Sequence, residues 1–402
     1  MQNGDARPFE TMRPVDPGIA GNQGYDTERL RNDVPGIWGR DLWPGIARLD
    51  GVFSATGGQN QNPGPLYGGR QRASGTGGAD GSTFGPASGS GPDGGPLFKG
   101  QVNKNGYRWW YLDGLSEDGS RGFTIIAFIG SVFSPYYAWS RKRGHGDPHA
   151  FCSINVALYG TGGKRWAMTE RSSAAVTQTA ETFRVGPSAL HWDGRTLAVD
   201  IDEVTSPIPS RIRGQIHLTP RGLNDKVIAL DTEGHHKWWP IAPVADVEVA
   251  LDKPYRHWRG HGYLDSNWGA VPLEQSFTTW HWSRADLSDG AAILYDVNRR
   301  NDDPLAVALR FDENNKAYVF DAPAIRPLPK TGWRIHRETR SETDHATVLA
   351  TFEDTPFYAR SMIETQLLGE TVTAMHESLD MDRFIHPTTQ FMLPFKMPRR
   401  RA

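Results

Sequence analysis

Short apolar runs, cut at intervals by Gly, Asp, Ser and Pro, constrain this chain more than any other feature. From Phe98 onward the text reads RWWYLDGL, GFTIIAFIG, AFCSINVALYG, RWAMTER, ALHWDG, TLAVDIDE and RIRGQIHLT. After Pro254 it resumes with GHGYLDSNWG, SFTTWHWSRA, AAILYDVNR, LAVALRFD, AYVFDA, GWRIHRE and ATVLATFE, then a longer stretch from Phe357 to Phe395. Runs of that kind, rich in β-branched and aromatic residues and bounded by turn formers, predict strands. TLAVDIDE alternates apolar and polar residues, as a strand with one buried face does. YGTGGKRW predicts a hairpin closed by glycines. Helical periodicity is hard to find, except near Arg284–Leu287. These features predict an all-β fold of two sandwich-like or barrel-like domains, 98–254 and 255–402, meeting near residues 250–257.

Residues 1–97 differ in texture. Between Gly57 and Gly95, 14 of 39 residues are glycine. Such a segment loses much backbone entropy on folding and buries little, so a linker or long loop is expected over 57–95.

Composition narrows the function. With 46 acidic against 44 basic side chains, the chain has no basic excess with which to capture nucleic acid. Its single cysteine excludes an intramolecular disulfide framework, a Cys-x-x-Cys pair and a multi-cysteine zinc site. Neither a Gly-x-Gly-x-x-Gly after a strand nor a Walker Gly-Lys-Ser/Thr is present: Gly163-Lys164 is followed by Arg165. A nucleophile elbow is absent too, because Gly186-Pro-Ser188-Ala-Leu190 lacks the second glycine. The N-terminus has no apolar signal-like core. The most apolar stretch, Phe123–Phe133, is eleven residues, against the roughly 20 that a spanning helix needs. A soluble or peripheral protein, most simply cytoplasmic, is expected.

Two histidine pairs stand four apart, His145 with His149 and His257 with His261. Both fall in turn-rich or strand-like text, where four-apart residues do not converge, so structural roles are favoured and no metal site is expected. The basic runs Arg141–Arg143 and Arg399–Arg401 suit solvated surface first and contact with anionic lipid headgroups second. The 14 tryptophans can fill a core or line an apolar ligand site. Tyr263 and Asp265 stand two apart, so a strand would present both on one face. A hydrogen-bonded strand pair or turn-capping Asp is the commoner meaning of that pattern. The alternative is a carboxyl desolvated among aromatics and kept protonated as a general acid.

Six blocks in order resemble the bacterial carotenoid 1,2-hydratases: FSPYYAW (Phe133–Trp139), NVALYG (Asn155–Gly160), RWAMTE (Arg165–Glu170), GPSALHW (Gly186–Trp192), WWPIAP (Trp238–Pro243) and GYLDSNW (Gly262–Trp268). The likeness runs from about Phe98 to about Asp380. It implies a pair of lipocalin-like β domains, as in the tocopherol-cyclase-like and fungal pericyclase proteins. It also implies addition of water across the terminal 1,2 double bond of an acyclic carotenoid such as neurosporene or lycopene, with neither organic cofactor nor metal. The family's His-x-Trp and Tyr-x-Asp pairs match His236–Trp238 and Tyr263–Asp265 without substitution. The roles expected for them are Asp265 as acid assisted by Tyr263, Trp238 facing a cation, and His236 positioning water. Trp239 and Trp268 beside the quartet, and Tyr136 and Tyr137 in the first block, are the expected substrate contacts. Substrate solubility makes peripheral association with the inner or intracytoplasmic membrane an expectation. Another cation-driven or pericyclic enzyme of this fold, or a non-catalytic pigment carrier, are the alternatives; a carrier needs an apolar cavity but no intact quartet.

Overall fold

The computed structural model describes residues 95–400. The extension up to residue 94, with nearly all of the glycine-rich stretch, lies outside the described residues. Two large sheets carry the fold, so the all-β expectation holds. In the 14-stranded sheet, strand Tyr107–Ser116 pairs on one side with Arg121–Ile129 and on the other with Tyr255–Gly269. Tyr255–Gly269 in turn pairs with His236–Lys253. The second sheet has seven strands, and Phe277–Leu287 lies in it between Gly290–Arg299 and Glu370–Asp380. Tyr358–Leu367 and Ala346–Asp354 extend it beyond Glu370–Asp380.

TLAVDIDE forms a strand whose residues alternate between buried and half-buried. YGTGGKRW closes the antiparallel pair Cys152–Gly160 and Arg165–Met168, with Gly162 and Gly163 at positive φ. Two readings shift. Pro254 turns a long hairpin inside the first sheet, and the chain passes to the second sheet between Gly269 and Phe277, not near 250–257. A proline turn marks where a strand ends, not which sheet the next strand joins. Arg284–Leu287 is strand, not helix. There Arg284 is buried against Asp113 of the first sheet at 3.0 Å, and an inward arginine breaks the apolar alternation.

Helices form where capping chemistry allows. Ser134 accepts from the Tyr137 N–H and Pro135 opens helix Pro135–Lys142. Pro387 likewise opens Pro387–Lys396, with the His386 ring accepting from the Thr388 N–H.

Alternation along the strands divides the interior. Trp110, Leu112, Leu264, Trp239 and Trp268 point to one face of the first sheet and pack in its own core. Trp109, Tyr111, Tyr263 and Trp238 point to the other, meeting Trp280, Trp282 and Tyr295 of the second sheet. The candidate site lies in this aromatic layer between the sheets.

Candidate active site

Strand register assembles the site. Asp265 lies opposite Tyr111, and Asn267 lies between Trp109 and Trp238 of its two neighbouring strands. Directly opposed residues share a face, so these side chains form adjoining rows toward the second sheet. There Tyr295, Trp282, Glu377 and Arg360 form a matching row across four strands.

Asp265 is 4% exposed. Its Oδ2 accepts from the Tyr263 hydroxyl at 2.8 Å and from Trp238 Nε1 at 3.0 Å, while Oδ1 accepts one longer bond, 3.2 Å, from Asn267 Nδ2. Burial pushes the carboxyl up to about 8. The donated bonds oppose the shift, and the charges of Glu377 and Asp113 add to it. Desolvation prevails, so Asp265 is protonated at neutral pH. With Oδ2 serving two donors, Oδ1 is the oxygen left to carry the acidic proton.

His236 sits apart from this triangle. It is fully buried, and its Nδ1 lies 2.8 Å from the Tyr107 hydroxyl and its Nε2 2.8 Å from the Ser276 hydroxyl. Burial lowers it to about 4, which keeps the ring neutral. Both nitrogens expected to hold a water are thus engaged by protein hydroxyls.

Two cavities with shared wall residues lie in this aromatic layer. The smaller, about 40 Å³, is lined by Asp265, Asn267, Trp282, Tyr295 and Glu377. The larger, about 80 Å³, is apolar and adds Ile126, Phe128, Phe133, Phe357, Leu393 and Met397. Trp109, Tyr111, Trp280 and Glu377 line both, so the larger chamber adjoins the one that holds the acid.

The expected substrate aromatics are not brought there. Trp239 and Trp268 face the core on the opposite side of the sheet, where the Trp239 indole donates to the Asn224 carbonyl and Arg108 lies over Trp268. Adjacent residues in a strand point to opposite faces, so Trp239 cannot share the wall of Trp238. Tyr137 is buried in its helix and donates to the Gly106 carbonyl at 2.7 Å, and Tyr136 packs edge-on against Trp139. Neither lines the two cavities. Tyr137→Phe is therefore expected to cost about 1 kcal/mol in denaturant unfolding and to leave turnover unchanged. A fall in turnover without loss of stability would return Tyr137 to the substrate.

The aromatics that do line the site had a sequence signal: Trp109/Tyr111 and Trp280/Trp282 each stand two apart within a strand-like run. Glu377 and Arg360 had none, because only cross-strand register places them. The basic runs are partly internal: Arg141 pairs with Glu274 and lies over Tyr137, and Arg399 pairs with Glu170 and lies over Phe151. Among the described residues, His281, His336 and Glu338 bring metal-ligand-type atoms within 4.8 Å. His281 stands between Trp280 and Trp282 on its strand and so projects away from Asp265.

Comparison with known proteins follows the same residues. The profile of the family described as carotenoid hydratase CrtC matches residues 125–402. An acyclic carotenoid 1,2-hydratase from Thiocapsa roseopersicina is 50% identical over 93% of this chain and 93% of its own. One from Rubrivivax gelatinosus is 46% identical over 98% and 97%. One from Cereibacter sphaeroides is 41% identical over 69% of this chain and 98% of its own. A solved structure of a putative AttH from Nitrosomonas europaea gives a TM-score of 0.48 at 16% identity, over 68% of this chain and 92% of that one. By the span of the family profile and by these sequence identities, the chain belongs to the carotenoid hydratases, the hydro-lyases that include the acyclic carotenoid 1,2-hydratases.

Proposed function

We propose that this protein hydrates the terminal 1,2 double bond of an acyclic carotenoid by protonating carbon 2 and capturing the resulting tertiary cation at carbon 1 with water. The observation that carries the mechanism is a buried Asp265, its carboxyl pushed up to about 8, in the wall of a small aromatic-lined cavity that shares four residues with a larger one. An alkene is a very weak base, so its acid must hold its proton at neutral pH and give it up in a site without competing water. Tyr263 and Trp238 fix the carboxyl by their bonds to Oδ2 and support the carboxylate left after transfer. Trp109, Tyr111, Trp280, Trp282 and Tyr295 surround the position where positive charge develops. Ring faces there contribute about 2 kcal/mol or more each when desolvated, and none of these rings traps the cation. His236, held by Tyr107 and Ser276, orients the strand end next to Trp238. No step needs an organic cofactor or metal.

The deciding experiment incubates purified protein with lycopene in deuterated water without additives. One or two waters are gained, and each hydrated end carries a single deuterium at carbon 2. Deuterium elsewhere, or a strict need for an added cofactor, overturns the mechanism; binding without conversion marks a carrier. The pH profile gives a second expectation. Asp265 donates only in its neutral form, so turnover loses about tenfold per pH unit above about 8. An activity that rises through pH 8 to 10 rules Asp265 out as the acid.

We also propose that the substrate enters from a bilayer surface. Helix Pro387–Lys396 turns Leu393 and Met397, just past its end, into the larger cavity. The same helix leaves Phe391 and Phe395 70% and 51% exposed. An apolar helix face of that kind suits insertion at the headgroup level. Phe391→Ser with Phe395→Ser is expected to cut binding to sedimented liposomes at least about tenfold while detergent-solubilised substrate still turns over. Unchanged sedimentation would exclude this face.

A further inference from the structure

The geometry points to Glu377 as the general base that holds the attacking water and takes its proton. This deepens, and rests on, the reading of Asp265 as the acid. Glu377 lines the smaller cavity together with Asp265 and reaches into the larger one as well. Its carboxylate is held by Arg360, whose Nε and Nη2 donate at 3.0 Å and 2.5 Å. Both bonds fall on Oε1, and among the described residues no donor serves Oε2. The buried guanidinium pairs with Glu377 without occupying the oxygen a base must use.

Two further atoms complete a place for water. Asn267 Oδ1 and Trp282 Nε1 are buried without a hydrogen-bond partner, and both residues line the same cavity. Buried polar atoms of a folded protein are nearly always satisfied, so two orphans in one small cavity mark a position for a polar guest. A water there accepts from Trp282 Nε1 and donates to Asn267 Oδ1 and Glu377 Oε2, within the two to four partners a buried water takes. His236 offers no such vacant atom, since Tyr107 and Ser276 engage both its nitrogens.

The Asp265 Oδ1–H bond breaks and a C2–H bond forms, leaving the cation at carbon 1. The water oxygen donates an electron pair to carbon 1, and one of its protons passes to Glu377 Oε2. That proton then returns to Asp265 across the cavity both carboxyls line, restoring both groups. Two carboxyl groups facing one cavity, one as acid and one as base, resemble the division of labour in inverting hydrolases, where one carboxyl protonates and the other activates water.

The test is Glu377→Gln in deuterated water, reading hydration and deuterium in recovered substrate separately. Hydration is expected to fall about 10²-fold or more. Protonation by Asp265 continues, so cations that lose a proton without capturing water return as alkene carrying deuterium. Glu377→Asp keeps a charge opposite Arg360 and is expected to regain part of the hydration; where the Gln variant does not fold, it carries the test by the same hydration-to-exchange ratio. Hydration within threefold of wild type, or exchange falling in step with hydration, overturns the role of Glu377. If wild type itself places no deuterium at carbon 2, the protonation mechanism has failed instead, an outcome distinct from either.

Discussion

Replacing Asp265 with asparagine is expected to lower hydration about 10⁴-fold, the upper end of what a positioned acid contributes, while the fold is kept. Asparagine has the same shape, and its carbonyl can accept from Tyr263 and Trp238 as Oδ2 does. What it lacks is the transferable proton. Stability supplies a check that activity cannot. Burial raises the Asp265 carboxyl to about 8 from the ordinary carboxyl range, so between about pH 4 and 8 the folded protein binds a proton that the unfolded chain has lost. Wild-type stability from this group is therefore fully present at low pH and is lost as pH rises toward 8. The asparagine variant has no such loss, and its unfolding free energy should gain on wild type across that window. Parallel pH–stability curves would mean that Asp265 is ionised in the folded protein, which ends its role as acid. Substantial retained hydration would end it equally.

Strands were the most legible part of this molecule, because alternation and turn residues are local. TLAVDIDE and the YGTGGKRW hairpin needed only a handful of residues to be read. Pro254 shows the limit: it ends a strand in either topology, and only the pairing of Tyr255–Gly269 with Tyr107–Ser116, some 150 positions away, assigns that strand to the first sheet. The site divides the same way. Tyr263 and Asp265 share a face by period two, and the structure joins them at 2.8 Å. Trp239 and Trp268 looked equally suitable by proximity in sequence, yet parity turns both away. His236 falls on the correct face but is consumed by Tyr107 and Ser276, partners invisible in its neighbourhood. Glu377 and Arg360 were least legible of all. A charged residue in a strand reads as solvent-facing until a second sheet is known to cover it.

Arg360→Met is expected to destabilise the protein by about 3–5 kcal/mol, measured by denaturant unfolding. Arg360 is 1% exposed and serves two carboxylates at once, Glu377 through Nε and Nη2 and Glu353 through Nη1 at 2.9 Å. Nη1 also reaches the Tyr159 hydroxyl, and the Tyr111 and Tyr358 rings lie 5.5 Å and 5.4 Å from the guanidinium carbon. Methionine fills much of the same volume, so the loss comes mainly from two acids deprived of the guanidinium that pairs with both. Neutralising them tests that cause: Arg360→Met combined with Glu353→Gln and Glu377→Gln should recover more than about half of the loss, because a buried charge cluster can be replaced by neutral groups at little cost. The combined variant should stay inactive although it folds, since its Glu377 carboxylate is gone. If Arg360→Met alone costs under about 1 kcal/mol, the cluster is solvated like a surface pair. If the combined variant is no more stable than the single one, packing around the three tyrosines, not charge, is what Arg360 provides.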